Sequence, residues 1–315
     1  MSELDTSPID LVTRRYPFIA IFKPHNACSQ ICVYCQRNWE ISDVKNTKGL
    51  HSAKKVDLAT KWFRNNPEIE EVLITGGDPL VLPNRQLEEI LKLFYEMEHI
   101  KRVRIGTRMP VTVPMRFDAD LLNLFRQHHN PPDKTITVVT HVQNAYEISV
   151  ELKELVQQVR QIGIDVLNQQ VFTIQNCRKF ETCFLRESLR SIGITPYYLF
   201  NLQGKTETEY FRIPIARLLQ ESKEEARIMP GTLRTEKVVF NIPTLGKNDL
   251  LGWQDHDVVM IEDDGSRVYE FFPWEKYMAP VNTFLFKDEP IYEFLRRIQD
   301  RGEDIKDYET IWYYF

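Results

Sequence analysis

Cys28, Cys32 and Cys35 fall within eight residues, as Cys-Ser-Gln-Ile-Cys-Val-Tyr-Cys. A loop that short can turn three thiolates toward one point. Three thiolates suit an iron-sulfur cluster or a zinc ion. Zinc calls for a fourth protein ligand, and His25 stands three residues upstream of the first cysteine. Two chemistries are therefore open here. One is a [4Fe-4S] cluster with one iron left for a ligand. The other is a zinc site in a non-enzymatic binding module. Cys177 and Cys183 complete the five cysteines. An odd count does not suggest a disulfide framework, and these two read as ordinary thiols.

Short β-rich runs alternate with longer amphipathic ones and set the frame that must position these groups. The β-rich runs are 17–23, 71–77, 102–108, 135–142, 165–173 and 195–202. Helix-like stretches separate them, with Asn84 as a candidate N-cap and Gly163 and Gly193 as candidate C-caps. Six strand-helix units in series predict parallel strands joined by crossover helices. Polar residues recur at the C-terminal ends of those strands: the cysteines, Thr75 to Asp78, Arg108, His141, Gln169 and Gln170, and Asn201 to Gln203. In a barrel such ends converge on one mouth, whereas in an open sheet they spread along an edge. The expected class is thus α/β, a partial (βα)6 TIM-like barrel with a C-terminal α+β appendage. Residues 1–16 are expected as a lead-in, 17–229 as the barrel and 230–315 as a cap. A hairpin is expected over 257–272 and a helix over 290–300.

The chain has 315 residues and a net charge of -5, with 43% hydrophobic and 27% charged residues, as in ordinary globular enzymes. Mild acidity argues against nucleic acid as the main partner. No apolar run is long enough to span a bilayer, and the first fifteen residues lack a signal-like stretch, so the expected location is the cytoplasm. Among the histidines only His141 is expected near a cofactor or substrate. His51, His99, His128, His129 and His256 are expected at the surface.

With Cys-x3-Cys-x2-Cys directly after the first β-rich run, Tyr34 before the third cysteine, and Thr75-Gly76-Gly77-Asp78 after the second run, the chain resembles the radical S-adenosylmethionine (SAM) superfamily. The resemblance implies a [4Fe-4S] cluster on Cys28, Cys32 and Cys35. It also implies SAM on the open iron, met by Thr75, Gly76, Gly77 and Asp78, with His141 and Gln170 on the cofactor side. Paired glycines let a main chain approach closely.

Further stretches narrow the likeness. Arg15-Tyr16-Pro17, LITGGDPL (73–80), RVRIGTRMPVTVP (102–114), THVQNAYE (140–147), VLNQQV (166–171) and TPYY (195–198) are similar to lysine 2,3-aminomutase and its relatives, over about residues 7–275. That family carries pyridoxal 5'-phosphate (PLP) on a lysine, which the segment VVFNIPTLGKNDLLG places at Lys247, read here as a loop residue beside Gly246. Arg15 and Arg108 match PLP-holding arginines, and Arg37 matches the arginine for the substrate carboxylate. Arginine suits both tasks because its planar fork binds phosphate and carboxylate bidentately.

The departures carry information about substrate. Ile19 replaces a second arginine near the PLP. Gln203 and Asn241 fall where the lysine enzyme has two carboxylates for the substrate ammonium. Two amides would leave a buried ammonium unpaired, at a cost of several kcal/mol. Free lysine is therefore a poor substrate for this chain. An anionic or neutral amino acid, glutamate included, fits better, with Lys205 nearby. The implied reaction moves an amino group from Cα to Cβ, driven by a reductant such as flavodoxin or ferredoxin, in a protein that can be homo-oligomeric. The alternatives are the same chemistry on a lysine within a protein, and the zinc module with His25.

Overall fold

The computed structural model describes residues 6–35, 37, 41, 51–202, 206–242, 245–272 and 282–315. Two compact units divide the chain. The first comprises Met1–Val142, Tyr146–Asn168 and Ser191–Thr195; the second comprises Gln143–Ala145, Gln169–Arg190 and Pro196–Phe315.

In the first unit, β1 (Val12–Tyr16) runs antiparallel to β2 (Ile19–His25). There follow α1 (Ala53–Arg64), β3 (Glu71–Gly76), α2 (Asn84–Tyr95), β4 (Arg102–Gly106), the short α3 (Met109–Thr112), α4 (Ala119–His128), β5 (Thr135–Thr140) and α5 (Val150–Gln161). β6 (Asp165–Phe172) starts here and ends in the second unit. From β2 to the start of β6 each strand is parallel to the last, as short strands joined by helices require. Val72, Ile74, Ile105, Ile136 and Val138 are buried on alternate positions of their strands. Helices α1 and α2 cover them with Phe63 and Phe94, which meet Phe22 edge-on at centroid distances of 6.1 and 5.3 Å. Each such buried ring contributes roughly 1.5–3 kcal/mol. Side-chain caps start two helices: Asp118 accepts from Leu121 N at 2.8 Å, and Ser149 from Leu152 N at 3.1 Å.

The second unit contains most of α6 (Glu181–Ile192), then β7 (Thr195–Asn201), α7 (Ile215–Glu225), β8 (Lys237–Ile242) and β9 (Gly246–Asp249). β8 is parallel to β7 and antiparallel to β9. A separate antiparallel sheet follows, of β10 (His256–Ile261), β11 (Arg267–Phe271) and β12 (Phe284–Lys287). It is succeeded by α8 (Ile291–Gln299) and a 3-10 helix (Ile305–Tyr313). Phe172, Leu199, Phe240, Phe271, Phe294 and Tyr308 belong to this unit's core. Tyr308 and Ile311 of the 3-10 helix are thus packed in this unit's core, while Tyr313 and Phe315 are exposed. Arg186 on α6 pairs with Glu225 on α7 and with Glu236, and Arg217 pairs with Glu221 at 2.5 Å, all buried. Burial pushes the Glu236 carboxyl up to about 7 against the pull of Arg186.

Strand order in the larger sheet follows chain order from β1 to β9 among the described residues. The class is the expected one, a partial α/β barrel with an α+β addition. Several details differ from the sequence reading. Residues 12–16 form an edge strand rather than a lead-in. Lys247 lies on strand β9 rather than on a loop. Asn84 is the first helical residue, not the cap, and its side chain accepts from Arg116 Nη2 at 2.6 Å. His128 and His256 are buried, not superficial. His128 completes the apolar stripe of Leu121, Leu124 and Phe125 on α4, and His256 packs on Tyr269 and Phe271.

Candidate active site

The cysteine loop leaves the C-terminal end of β2 and is tied down at its base by the end of β3. Gly77 N donates to His25 O at 2.9 Å, and Asp78 N donates to Ala27 O at 2.8 Å. Both neighbours are glycine for a geometric reason. Gly76 has a φ of +112°, and a Cβ there would stand 2.7 Å from His25 O. A Cβ on Gly77 would stand 2.1 Å from Ala27 O. The paired glycines therefore let the main chain approach the base of the cysteine loop. The Gly77 and Asp78 amides are committed to it, and an ammonium group such as that of SAM, being a donor, would meet carbonyl oxygens here. Thr75 shares the half-buried face of β3 with Leu73, opposite the buried Val72 and Ile74.

Asp78 fastens β3 to β4. It is buried, and Oδ1 accepts from Thr107 Oγ1 at 2.6 Å and Leu80 N at 3.1 Å, while Oδ2 accepts from Arg108 N at 2.7 Å. Burial raises its carboxyl above the usual range, and these donors oppose the rise. With its oxygens so engaged, Asp78 acts on the site through geometry. It sets the main chain from which Arg108 projects.

Arg108 donates from Nη1 to Cys32 Sγ at 3.2 Å and from Nη2 to Glu147 Oε1 at 2.8 Å, and its guanidinium lies 5.7 Å from the Tyr34 ring centroid. Cys28 is buried, and desolvation lifts its thiol to about 12. A metal bound there must displace its proton. Arg37 N donates to Cys35 Sγ at 3.3 Å, and Arg15 is half-buried on β1. His141 is half-buried beyond β5, and its neighbour Val142 is clamped by the buried Asn168. Val142 N donates to Asn168 Oδ1 at 2.7 Å, and Asn168 Nδ2 donates to Val142 O at 3.1 Å.

Three thiolates on one loop fit a cluster that leaves one iron open. A zinc ion with Zn–S bonds of about 2.3 Å holds its sulfurs roughly 3.8 Å apart. Among the described residues, one set of three His, Cys, Asp or Glu donors lies within 4.8 Å of one another: Cys183, Glu221 and Glu225, not the three loop cysteines. His25 is buried, its Nε2–H donates to Asp78 O at 2.7 Å, and desolvation lowers its pKa to about 4. That imidazole ties the cysteine loop to the end of β3 through Nε2. In the remaining set, Glu221 and Glu225 already serve Arg217 and Arg186.

In the second unit, alternation sorts the faces of β7, β8 and β9. Leu199, Val238, Phe240, Ile242 and Leu250 belong to the core. Tyr198 and Phe200 have the opposite parity on β7, and Asn241 has it on β8. Lys247 is the direct cross-strand partner of Asn241. Tyr198, Phe200, Asn241 and Lys247 thus share the face turned away from the core. All four are half-buried. A lysine on such a face beside an amide suits a carbonyl cofactor with a polar substrate. Gln170 is buried. It has the parity of the core residue Phe172, and its Nε2 donates to Gln143 O at 3.2 Å. Gln169 occupies the other face. Gln203 and Lys205 lie outside the described residues.

Thr107, Glu147 and Asn168 were missed in the sequence. Thr107 holds Asp78, Glu147 holds Arg108, and Asn168 holds Val142 beside His141. For Thr107 and Asn168 the signal available was a polar residue within a β-rich run already singled out; Glu147 lies beyond β5 in a short 3-10 helix.

Comparison with known proteins agrees with this geometry. The model of the radical SAM superfamily matches residues 22–174. An uncharacterised KamA family protein of Methanocaldococcus jannaschii is 46% identical over the whole of this chain and 50% of its own length. Glutamate 2,3-aminomutase of Clostridioides difficile is 33% identical over 96% of this chain and 68% of its own length. The chain thus spans from half to about two thirds of the length of these relatives. SuiB of Streptococcus suis, solved with bound SAM, superposes with a TM-score of 0.51 over 71% of this chain and 51% of its own, at 16% identity, and shows the same fold.

Proposed function

From its place in the KamA family of the radical SAM superfamily, to which this chain belongs, we propose that the protein is an amino-acid 2,3-aminomutase-like isomerase. It moves the amino group of a free amino acid from Cα to Cβ, and the substrate side chain is anionic or neutral. Radical SAM enzymes carry a [4Fe-4S] cluster and SAM, and KamA-like aminomutases also use PLP. When bound, these supply an electron, a carbon radical and a π-system for the migrating nitrogen.

The chain's own residues hold, orient and shield. Cys28, Cys32 and Cys35 take the cluster. Thr75, Gly76 and Gly77 offer main chain to SAM, with His141 and Gln169 as further candidates on that side. Arg15 and Arg108 are the candidates for a phosphate and Arg37 for a carboxylate; Arg108 would exchange its bond to Glu147 Oε1 for the phosphate. Lys247 is the PLP lysine. The observation that carries the substrate reading is the pairing of Asn241 with Lys247 across β8 and β9. Asn241 can hydrogen-bond a carboxylate or amide, and it brings no charge to offset an ammonium. The relative named for glutamate is similar over nearly all of this chain.

Among the described residues, no helix is long and apolar enough to cross a membrane. The electron donor we propose is a flavodoxin or ferredoxin. The test is anaerobic incubation of the reconstituted protein with SAM, PLP, reductant and an amino-acid panel, read by mass spectrometry. β-Glutamate or a neutral β-amino acid is expected. β-Lysine as the sole product overturns the substrate reading, and no β-amino acid from any substrate overturns the aminomutase reading.

A further inference from the structure

On the face that carries Asn241 and Lys247, the Lys247 Nζ stands 4.7 Å from the centroid of the Tyr198 ring. The ring is held in place by its neighbours. Phe200 packs at 5.5 Å and Tyr197 at 4.1 Å between centroids, both tilted. The main chain beneath is fixed by the parallel pairing of Tyr198 with Lys237 and Phe200 with Val239. An ammonium this close to a ring face is attracted by the ring quadrupole, and more strongly where water is partly excluded. Lysine bears that charge on a flexible four-carbon stem, so a fixed ring can decide where the amine rests.

We propose that Tyr198 is the positioning residue that receives the Lys247 ammonium whenever that amine is not bonded to PLP; this rests on Lys247 being the PLP lysine. When a substrate amine takes the lysine's place, one carbon-nitrogen double bond forms as another breaks. The substrate ammonium gives up two protons as its nitrogen enters the protonated double bond, and both end on the Lys247 nitrogen, which leaves as an ammonium. A ring face that favours the charged amine favours this exchange and keeps the departed lysine clear of the substrate. It correspondingly weakens the hold of Lys247 on PLP.

The experiment titrates cluster-reconstituted, PLP-free protein with PLP under anaerobic conditions, traps the adduct with borohydride and quantifies PLP-modified Lys247 by peptide mass spectrometry. The wild-type protein is compared with Tyr198→Leu and Tyr198→Phe. The leucine variant is expected to capture PLP at roughly 3- to 30-fold lower PLP concentration, the range that follows from removing a cation–π attraction in a partly desolvated site. The phenylalanine variant keeps the ring face and is expected to stay within about twofold of wild type.

A second readout needs no PLP. After reductive 13C-methylation, the Lys247 N-methyl resonance, assigned by its loss in Lys247→Arg, is expected upfield through ring shielding. It should stay there in Tyr198→Phe and move to the position of exposed lysines in Tyr198→Leu. Unchanged or weaker capture in the leucine variant overturns the proposal, as does an N-methyl resonance indifferent to the ring. If wild-type protein traps no PLP on Lys247, the PLP reading itself fails and takes the proposal with it. If the adduct forms but does not respond to residue 198, only the proposal fails.

Discussion

Gly77→Ala puts a single methyl group where the cysteine loop begins. That Cβ would stand 2.1 Å from Ala27 O, 2.6 Å from Ala27 N and 2.8 Å from Ala27 C. All three are main-chain atoms, so no rotamer change can relieve the clash. Bringing the nearest from 2.1 Å to an ordinary van der Waals separation of at least 3.4 Å moves the Ala27 peptide by about 1.3 Å or more, and Cys28 is the next residue. The move strains the bonds from Gly77 N to His25 O and from Asp78 N to Ala27 O. Overpacking costs about 1–3 kcal/mol, and two weakened main-chain hydrogen bonds add roughly 1 kcal/mol each. The sum is about 3–5 kcal/mol, concentrated on the segment that aims Cys28. The assay is iron and sulfide content after anaerobic reconstitution, alongside a denaturant melt. Gly231→Ala is the control, because nothing lies within 4 Å of a Cβ there. Gly77→Ala is expected to lose more than half of its iron while the control keeps all of it. Wild-type iron content and stability in Gly77→Ala would refute the packing argument.

Thr107→Val keeps the volume but removes the donor to Asp78 Oδ1 at 2.6 Å and the acceptor for Met109 N at 3.1 Å. A loss of about 1–3 kcal/mol is expected in chemical denaturation, with Thr107→Ser recovering most of it. Glu236 offers a pH test: its folded carboxyl titrates near 7, above the unfolded value of 4.5, so the fold holds a proton that the unfolded chain has lost. Stability contributed by that protonation is complete below pH 4.5 and falls as pH rises through 7, by at most about 3 kcal/mol. Glu236→Gln should flatten this slope in melts taken between about pH 5 and 7.5, and an unchanged slope would assign it to other groups.

The sequence was legible where local pattern and tertiary role agree. Alternation in Val72-Leu73-Ile74 and in Thr135 to Val139 marks strands because one face of each is buried. The cysteine spacing was legible because a loop's chemistry is written in adjacent residues. β1 escaped because Arg14 and Arg15 give an edge strand the look of a polar lead-in. β9 escaped because a four-residue strand carrying Lys247, Asn248 and Asp249 takes its conformation from pairing with β8, a long-range cause. Gln169 and Gln170 are hard to tell apart in the sequence because neighbouring residues of a strand face opposite ways, and two consecutive glutamines hide which one is buried. Asp78 was legible as part of a motif whose main chain meets a cofactor, but not as the residue whose oxygens bind Thr107 and Arg108, about thirty residues away in sequence. Such a partner becomes visible only once β3 and β4 are side by side.

Iron stoichiometry and the electron paramagnetic resonance of the reduced, anaerobically reconstituted protein, recorded before and after adding SAM, bear most directly on the cysteine loop. About four irons per chain are expected, with a signal that changes on SAM addition and is lost in Cys28→Ala, Cys32→Ala and Cys35→Ala. One zinc per chain, or a cluster signal that SAM leaves untouched, would contradict the reading of the loop as a three-cysteine cluster site with an iron open to SAM.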